Sequence, residues 1–383
     1  MDNLKTEFLL NPAIIFLNHG SFGACPKPVF EVYQAWQREL ECQPVEFLGR
    51  RFIELMAEAR NALARFLSVE ADDVVFFTNP TSAANMIARN LDLRPGDEIL
   101  ATDHEYGAMD RTWRYIGAKT GAKYVQQPIP LPLSNQDDFV DKLFFGLTSN
   151  TRVVFISHIS SPTALIFPVK EVCRRARAAG LISIVDGAHA PGQIPLDLSD
   201  LGADLYLGAC HKWLCAPKGA AFLHARSDIQ PRLEPLVVSW GYESEKPGNS
   251  QFIDYHEWQG TRDIAAFLSV PAAIEFQKKR SWPDIRARCH QMASQTRLRV
   301  NLLTGQESIC PDSPDWFAQM ATIRLPANVG TERLKEDLYR DFHIEVPILQ
   351  WQNKPMMRVS FQAYNNQSDA DALLEALACL LPR

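Results

Sequence analysis

The chain has 383 residues, 46% hydrophobic and 22% charged, which fits a globular enzyme long enough for two domains. A net charge of -6 with no basic stripe argues against a nucleic-acid partner. No apolar run is long enough for a bilayer, no basic segment precedes an apolar core at the N-terminus, and the eight cysteines make no CxxC pair. No membrane partner, no metal site and a cytoplasmic protein with free thiols are therefore expected.

In chain order, "FLNHGSFGACPKP" has Gly20 and Gly23 to permit a turn, and reads either as a glycine-rich loop closing over the core or as a segment that places Asn18, His19 and Ser21 near a substrate. "EFLGRRF" places Arg50 and Arg51 before a helix, where they either meet a distal acidic group of a substrate or face solvent. Apolar strand candidates then alternate with helical patterns. "DVVFF" precedes "TNPTSAANMIARNL", "DEILATD" precedes "HEYGAMDRTWRYIGAKTG", and "TRVVFISHI" precedes "VKEVCRRARAAG". "LISIVDGAH", "ADLYLGAC" and "GAAFLHA" follow. Val/Ile/Leu/Phe strands separated by amphipathic helices predict an α/β fold whose mainly parallel sheet is covered on both faces, with ligands at the carboxyl edge. After about residue 260 the pattern becomes a long helix, then antiparallel strands in "MATIRLP" and "MMRVSFQAY", then a helix capped by Ser368 or Asp369. The expected division is a large domain over 21–264 and a smaller α+β domain from 1–20 and 265–383.

The chemistry centres on "YLGACHKWLCAPKGAAFLHAR", where Lys212 stands in a small, apolar run. A lysine in such surroundings is paired, chemically used, or simply on the surface. Asp186 ends another apolar strand, where it is a helix cap, an ion-pair partner or a functional carboxylate. In a parallel sheet both residues face one edge. A lysine beside a fixed carboxylate suits pyridoxal 5'-phosphate: the amine binds the aldehyde, and the carboxylate keeps the ring nitrogen protonated. "FFTNPTSAANM" offers a helix N-terminus with Thr81 and Ser82 for the phosphate, although an ordinary capping turn would look the same. No GxGxxG follows a strand, which argues against a dehydrogenase.

From "FLNHGSFG" to "MRVSFQAYNN", and above all in "VDGAHAPGQIPLDLSDLGADLYLGACHKWLCAPKGAAFL", the chain resembles the class V aminotransferase family, pyridoxal phosphate enzymes of fold type I. The likeness is strongest to the isopenicillin N epimerase-like subgroup, which is related to cysteine/cystine C–S lyases and cysteine desulfurases. The resemblance implies that Lys212 binds the cofactor and moves the α proton, that Asp186 meets the ring nitrogen, and that His189 reaches the ring hydroxyl side. It implies that Thr81, Ser82 and His211 hold the phosphate, that Thr261 reaches the phosphate of a neighbouring subunit in a homodimer with shared sites, and that Arg358 clamps the substrate carboxylate. Tyr106 takes the ring-stacking position where desulfurases have histidine, with His104 the other aromatic neighbour to consider. Ala209 replaces a serine phosphate ligand found in many relatives. "RDFHIEVPILQWQNKPMMRVSF" holds no cysteine before Arg358, and Cys310 lies far upstream, so persulfide formation is not expected. The expected activity is at the α carbon of an amino-acid substrate: epimerisation first, C–S elimination or transamination as alternatives. A catalytically silent binding scaffold is the non-enzyme alternative.

Overall fold

The computed structural model describes residues 4–381. Residues 1–3 and 382–383 of the expected small domain lie outside that range. Seven strands form the main sheet in the order Val74–Phe77, Ala221–Ala225, Leu205–Ala209, Ile182–Gly187, Thr151–Ser157, Glu98–Thr102 and Lys123–Gln127. Ala221–Ala225 runs antiparallel to both neighbours, and the remaining pairings are parallel. Apart from Arg152 and Ile182 near their starts, the central strands are buried, as a sheet covered on both faces requires.

Each sheet face has its own apolar layer. Val75, Phe77, Ile99, Phe155 and Ile184 pack under the helices Pro80–Asn90 and Gly107–Thr120. Val74, Phe76, Val154, Val185 and Tyr206 face the opposite cluster, which continues into the C-terminal region of the chain. There Met320–Arg324, Lys354–Ser360 and Ile348–Trp351 form an antiparallel sheet, flanked by the helices Trp282–Thr304 and Gln367–Leu380. Ile15–Phe16 pairs in parallel with Ile344–Glu345, which ties the N-terminal segment to this region.

Two local differences from the sequence reading have clear causes. The helix expected through 262–280 is divided into Ala265–Leu268 and Val270–Lys278, with Pro271 in the first turn of the second. These helices pack on Lys27–Cys42 and Phe52–Leu67, and Phe267 stacks on Phe76 of the main sheet at 5.0 Å. The last helix is capped by Asn366 rather than Ser368 or Asp369. Asp369 is the reciprocal member of the capping box, its side chain accepting from the Asn366 backbone N–H.

Candidate active site

The carboxyl edge of the main sheet gathers the predicted residues because each follows a strand that ends there. Thr81 and Ser82 follow Val74–Phe77, Tyr106 follows Glu98–Thr102, and Asp186 and His189 lie at the end of Ile182–Gly187. His211 and Lys212 follow Leu205–Ala209. Arg358 enters from the C-terminal sheet, where its register partner is Thr322.

Lys212 is half-buried. Its Nζ lies 3.1 Å from His189 Nε2, and Trp213 Nε1–H donates to His189 Nδ1 at 3.2 Å. Burial, then the charges of Lys212 and Arg358, holds His189 well below its ordinary value, so the ring is neutral. With Nδ1 accepting from Trp213, the ring proton sits on Nε2 and points at the lysine. This arrangement suits an unprotonated amine. Burial, reinforced by Arg358 and opposed by Asp186, brings Lys212 down to about 8.

Two glycines fix the backbone of this loop. A Cβ on Gly23 would lie 2.1 Å from the His211 carbonyl oxygen and 2.9 Å from Lys212 Cα. A Cβ on Gly192 would lie 2.4 Å from the Trp213 carbonyl oxygen. Both glycines have positive φ.

Asp186 is buried, and its Oδ1 accepts from Ala188 N–H at 2.9 Å. Its other oxygen has no hydrogen-bond partner among the described residues. Burial raises its carboxyl above the usual range, against the pull of the Ala188 N–H and of Lys212. At the phosphate candidate, the Asn79 side chain caps the helix Pro80–Asn90 by accepting from Ser82 N–H at 2.8 Å and from the Ser82 hydroxyl at 3.1 Å. Ser82 is thus already engaged, whereas the Thr81 hydroxyl has no partner among the described residues. His211 Nδ1 meets the Ala220 carbonyl at 3.0 Å, which leaves Nε2 open.

Arg358 is buried. Its Nη1 donates to the Ser161 carbonyl at 2.5 Å and to Ser161 Oγ at 3.2 Å, and Nη2 donates to Ser21 Oγ at 3.2 Å. Its Nε is buried without a partner among the described residues. Burial brings Arg358 down to about 10, while Tyr106 acts on it in the opposite sense. Tyr106 itself is 47% exposed and caps the start of the helix Gly107–Thr120.

Asn18 reaches the clamp only through Ser21. Its Oδ1 accepts from the Ser21 hydroxyl at 2.5 Å, and its Nδ2 donates to Glu345 at 2.8 Å. His19 packs against the backbone of the Lys212 loop. It is fully buried, with Nδ1 against Tyr364 Oη and Nε2 against the Lys212 carbonyl, each at 3.0 Å. The expected substrate contact of His19 is therefore replaced by a contact behind the Lys212 backbone. Burial, the largest cause, lowers it to about 3 and keeps it neutral. Thr261 lies apart from these residues, exposed in a pocket that none of Lys212, Asp186 or Arg358 lines.

Sequence reasoning missed Ser161, Trp213 and Glu105. "SSPT" after the strand Thr151–Ser157 has turn-forming residues, but nothing local marks it as the seat of Arg358. Glu105 is buried between two strand ends, accepting from Thr102 Oγ1, Ser157 N and Ser157 Oγ at 2.6, 2.9 and 2.6 Å.

This donor set fits pyridoxal 5'-phosphate. An unpaired oxygen on a buried carboxylate suits a protonated ring nitrogen, a half-buried low-pKa amine suits the aldehyde, and an open helix N-terminus with a free hydroxyl suits the phosphate. Fold and site together define a pyridoxal phosphate-dependent enzyme of fold type I. The chain belongs to the aminotransferase class-V family, whose model matches residues 23–373. It is 36% identical to the isopenicillin N epimerase of Amycolatopsis lactamdurans, over 98% of this chain and 97% of that one. It is 29% identical to putative L-cysteine desulfhydrase 1 of Oryza sativa subsp. japonica, over 98% of this chain and 85% of that one. Among solved structures, the cystine C–S lyase C-DES with its product cysteine persulfide shares the fold. Its TM-score is 0.85 at 24% identity, covering 96% of this chain and 98% of that one.

Proposed function

We propose that the protein is an epimerase acting at the α carbon of an amino-acid group. The observation that carries this reading is the near-full-length likeness to an isopenicillin N epimerase, higher in identity than the likeness to the desulfhydrase. The thiols agree with it. Burial raises Cys25 to about 12 and Cys310 to about 11, and pushes Cys210 and Cys215 higher still, so none is a ready thiolate for persulfide chemistry.

The bound cofactor supplies an aldehyde for the substrate amine and a protonated ring that withdraws electrons from the α carbon. Asp186 would hold the ring-nitrogen proton with its free oxygen, Thr81 and the helix N-terminus would hold the phosphate, and His189 would face the ring hydroxyl. His211 joins the phosphate as a donor through Nε2 once it is protonated, which the phosphate charge favours. Arg358 pairs with the substrate carboxylate, positioned by Ser161 and Ser21. Lys212, as a free amine, takes the α proton from one face. Tyr106 returns a proton from the other face and is replenished from the water it contacts.

The working unit in this reading is a homodimer in the cytoplasm, a location that suits eight free cysteines. Thr261 lines a pocket of about 950 Å³ with Arg50, Trp240 and Trp258. Trp240, Ile53 and Val45 are 84%, 81% and 67% exposed there. A second copy covering this face would carry Thr261 to its neighbour's phosphate site.

The test is proton NMR in heavy water with cofactor-loaded protein and L-amino acids, cystine and acidic tripeptides as substrates. Loss of the α-proton signal with the carbon skeleton intact, together with appearance of the D-configured product, supports the epimerase. Pyruvate and ammonia would make the protein a C–S lyase instead.

A further inference from the structure

The unassigned cluster that reaches furthest surrounds His104. This side chain is completely buried, with its ring against Trp351 at a centroid distance of 4.5 Å. Its Nε2 meets the Ile129 carbonyl at 2.7 Å, and Nδ1 meets Thr163 Oγ1 at 3.0 Å. A neutral imidazole donates from Nε2 to the Ile129 carbonyl and is an acceptor at Nδ1, so the single Thr163 hydroxyl proton is shared between Nδ1 and Ser160 Oγ. The adjoining turn closes on the same residue: Ser160 Oγ donates to the His104 carbonyl at 2.9 Å, and Thr163 Oγ1 lies 2.8 Å from Ser160 Oγ.

That turn is the seat of Arg358. Ser161 takes the guanidinium, and Thr322, the register partner of Arg358, donates to the Pro162 carbonyl at 2.9 Å. The hairpin leading to Arg358 is fastened to the other side of His104. Trp351 Nε1–H donates to the Asp103 carbonyl at 3.3 Å, and the Gln352 amide donates to the Asp103 carboxylate. Asp103 also accepts from Ile129 N–H at 3.0 Å. The residues on either side of His104 therefore hold the hairpin and carry Tyr106, while its ring holds the turn beneath Arg358.

We propose that His104 is a positioning residue for recognition of the substrate carboxylate, locking the Tyr106 turn, the Ser160–Thr163 turn and the Ile348–Ser360 hairpin into one unit. The proposal rests on the reading of Arg358 as the carboxylate clamp. A fork that pairs with a planar carboxylate tolerates little displacement, so a loosened Ser161 weakens the clamp without touching the lysine.

The experiment uses holoenzyme and two ligands: 2-methylalanine, which has no α proton, and isopropylamine, the same skeleton without its carboxylate. Binding is read from the absorbance change of the bound cofactor, and thermal midpoints are recorded in parallel. His104→Gln reaches toward Ile129 but drops the Thr163 contact, and Thr163→Val removes the hydroxyl at nearly constant volume. Each should weaken 2-methylalanine binding by roughly tenfold and leave isopropylamine unchanged. His104→Asn keeps a polar atom toward Thr163 and should stay closer to wild type. The double variant His104→Gln/Thr163→Val should be little worse than either single change, because both cut one link.

If the histidine only fills space, both ligands weaken together or only the thermal midpoint moves, and the proposal is overturned. Arg358→Ala separates the two readings. If it weakens 2-methylalanine while His104→Gln and Thr163→Val do not, the positioning role alone fails. If Arg358→Ala has no effect, the clamp fails and the positioning role fails with it. Should His104→Gln not fold, Thr163→Val decides by the same criteria.

Discussion

At the scale of single residues, the protonation of Lys212 decides when the site works. Burial and the Arg358 charge both push protons off the amine, so the lysine deprotonates near 8. If Lys212 is the base in the proposed reaction, turnover at saturating substrate should rise with pH through that region. Arg358→Ala removes a positive neighbour, which favours the charged lysine and moves the acid limb to higher pH. The kcat profile checks this, and an unmoved limb would separate the two charges. Lys212→Ala should abolish turnover. Glu105 makes a different prediction. Burial raises it to about 8, outweighing the donors of Ser157 and Thr102, with the nearby Asp186 charge adding to the rise. An unfolded chain ionises this carboxyl near 4.5, the native protein only near 8. The native state is therefore favoured below 4.5, and the advantage drains away up to about 8. Glu105→Gln should flatten the change in urea midpoint between pH 5 and pH 8. A slope equal to that of wild type would refute the assignment. Asp186 and Lys212 were legible in the sequence because a charge ending an apolar run is rare. His19, expected near a substrate, is enclosed by Trp213 and Tyr364, which only the fold brings together.

At the scale of elements, strand identity was legible wherever both faces are buried. Val74–Phe77, Thr151–Ser157 and Ile182–Gly187 are apolar runs because helices cover them on both sides. Lys123–Gln127 escaped notice because, as an edge strand, it needs no apolar run and "KYVQQ" is half-exposed. The antiparallel direction of Ala221–Ala225 was not legible either, since an apolar run carries no direction. The loop after Leu205–Ala209 shows how glycine placement serves chemistry. Gly23 holds φ 69° and ψ 170°, a region open essentially to glycine alone, against the His211 carbonyl. Gly23→Ala adds a side chain where there is no room and strains the backbone as well, at a cost of about 2 kcal/mol or more. Because the clash falls on the Lys212 backbone, the variant should lose cofactor more readily as well as melt earlier. Gel filtration followed by absorbance of the retained cofactor checks this. Full retention in a folded variant would show that the loop accommodates the methyl group.

At the scale of the whole molecule, the site is built from chain segments hundreds of residues apart. Ser21 reaches Arg358, His19 backs Lys212, and Gln352 grips Asp103. These pairings could not be read from local pattern, since they depend on how the C-terminal sheet closes over the edge of the main one. Thr261 extends the same logic beyond one chain. It stands exposed beside Trp240 and Ile53, outside the Lys212 cluster of its own chain. If a second copy brings Thr261 to its neighbour's phosphate, each site takes its lysine from one chain and this threonine from the other. Two inactive or weakened variants should then complement. In a mixed dimer of Lys212→Ala and Thr261→Ala chains, one site receives both defects and the other receives neither. Mixing after partial unfolding should restore cofactor affinity in half of the mixed dimer's sites to the wild-type value, along with their turnover. Trp240→Asp, which places a charge on the apolar rim, should shift the sedimentation profile toward monomer and abolish the complementation. A monomeric wild-type protein with full activity would make Thr261 a surface residue and leave the phosphate to Thr81, His211 and the helix N-terminus of a single chain.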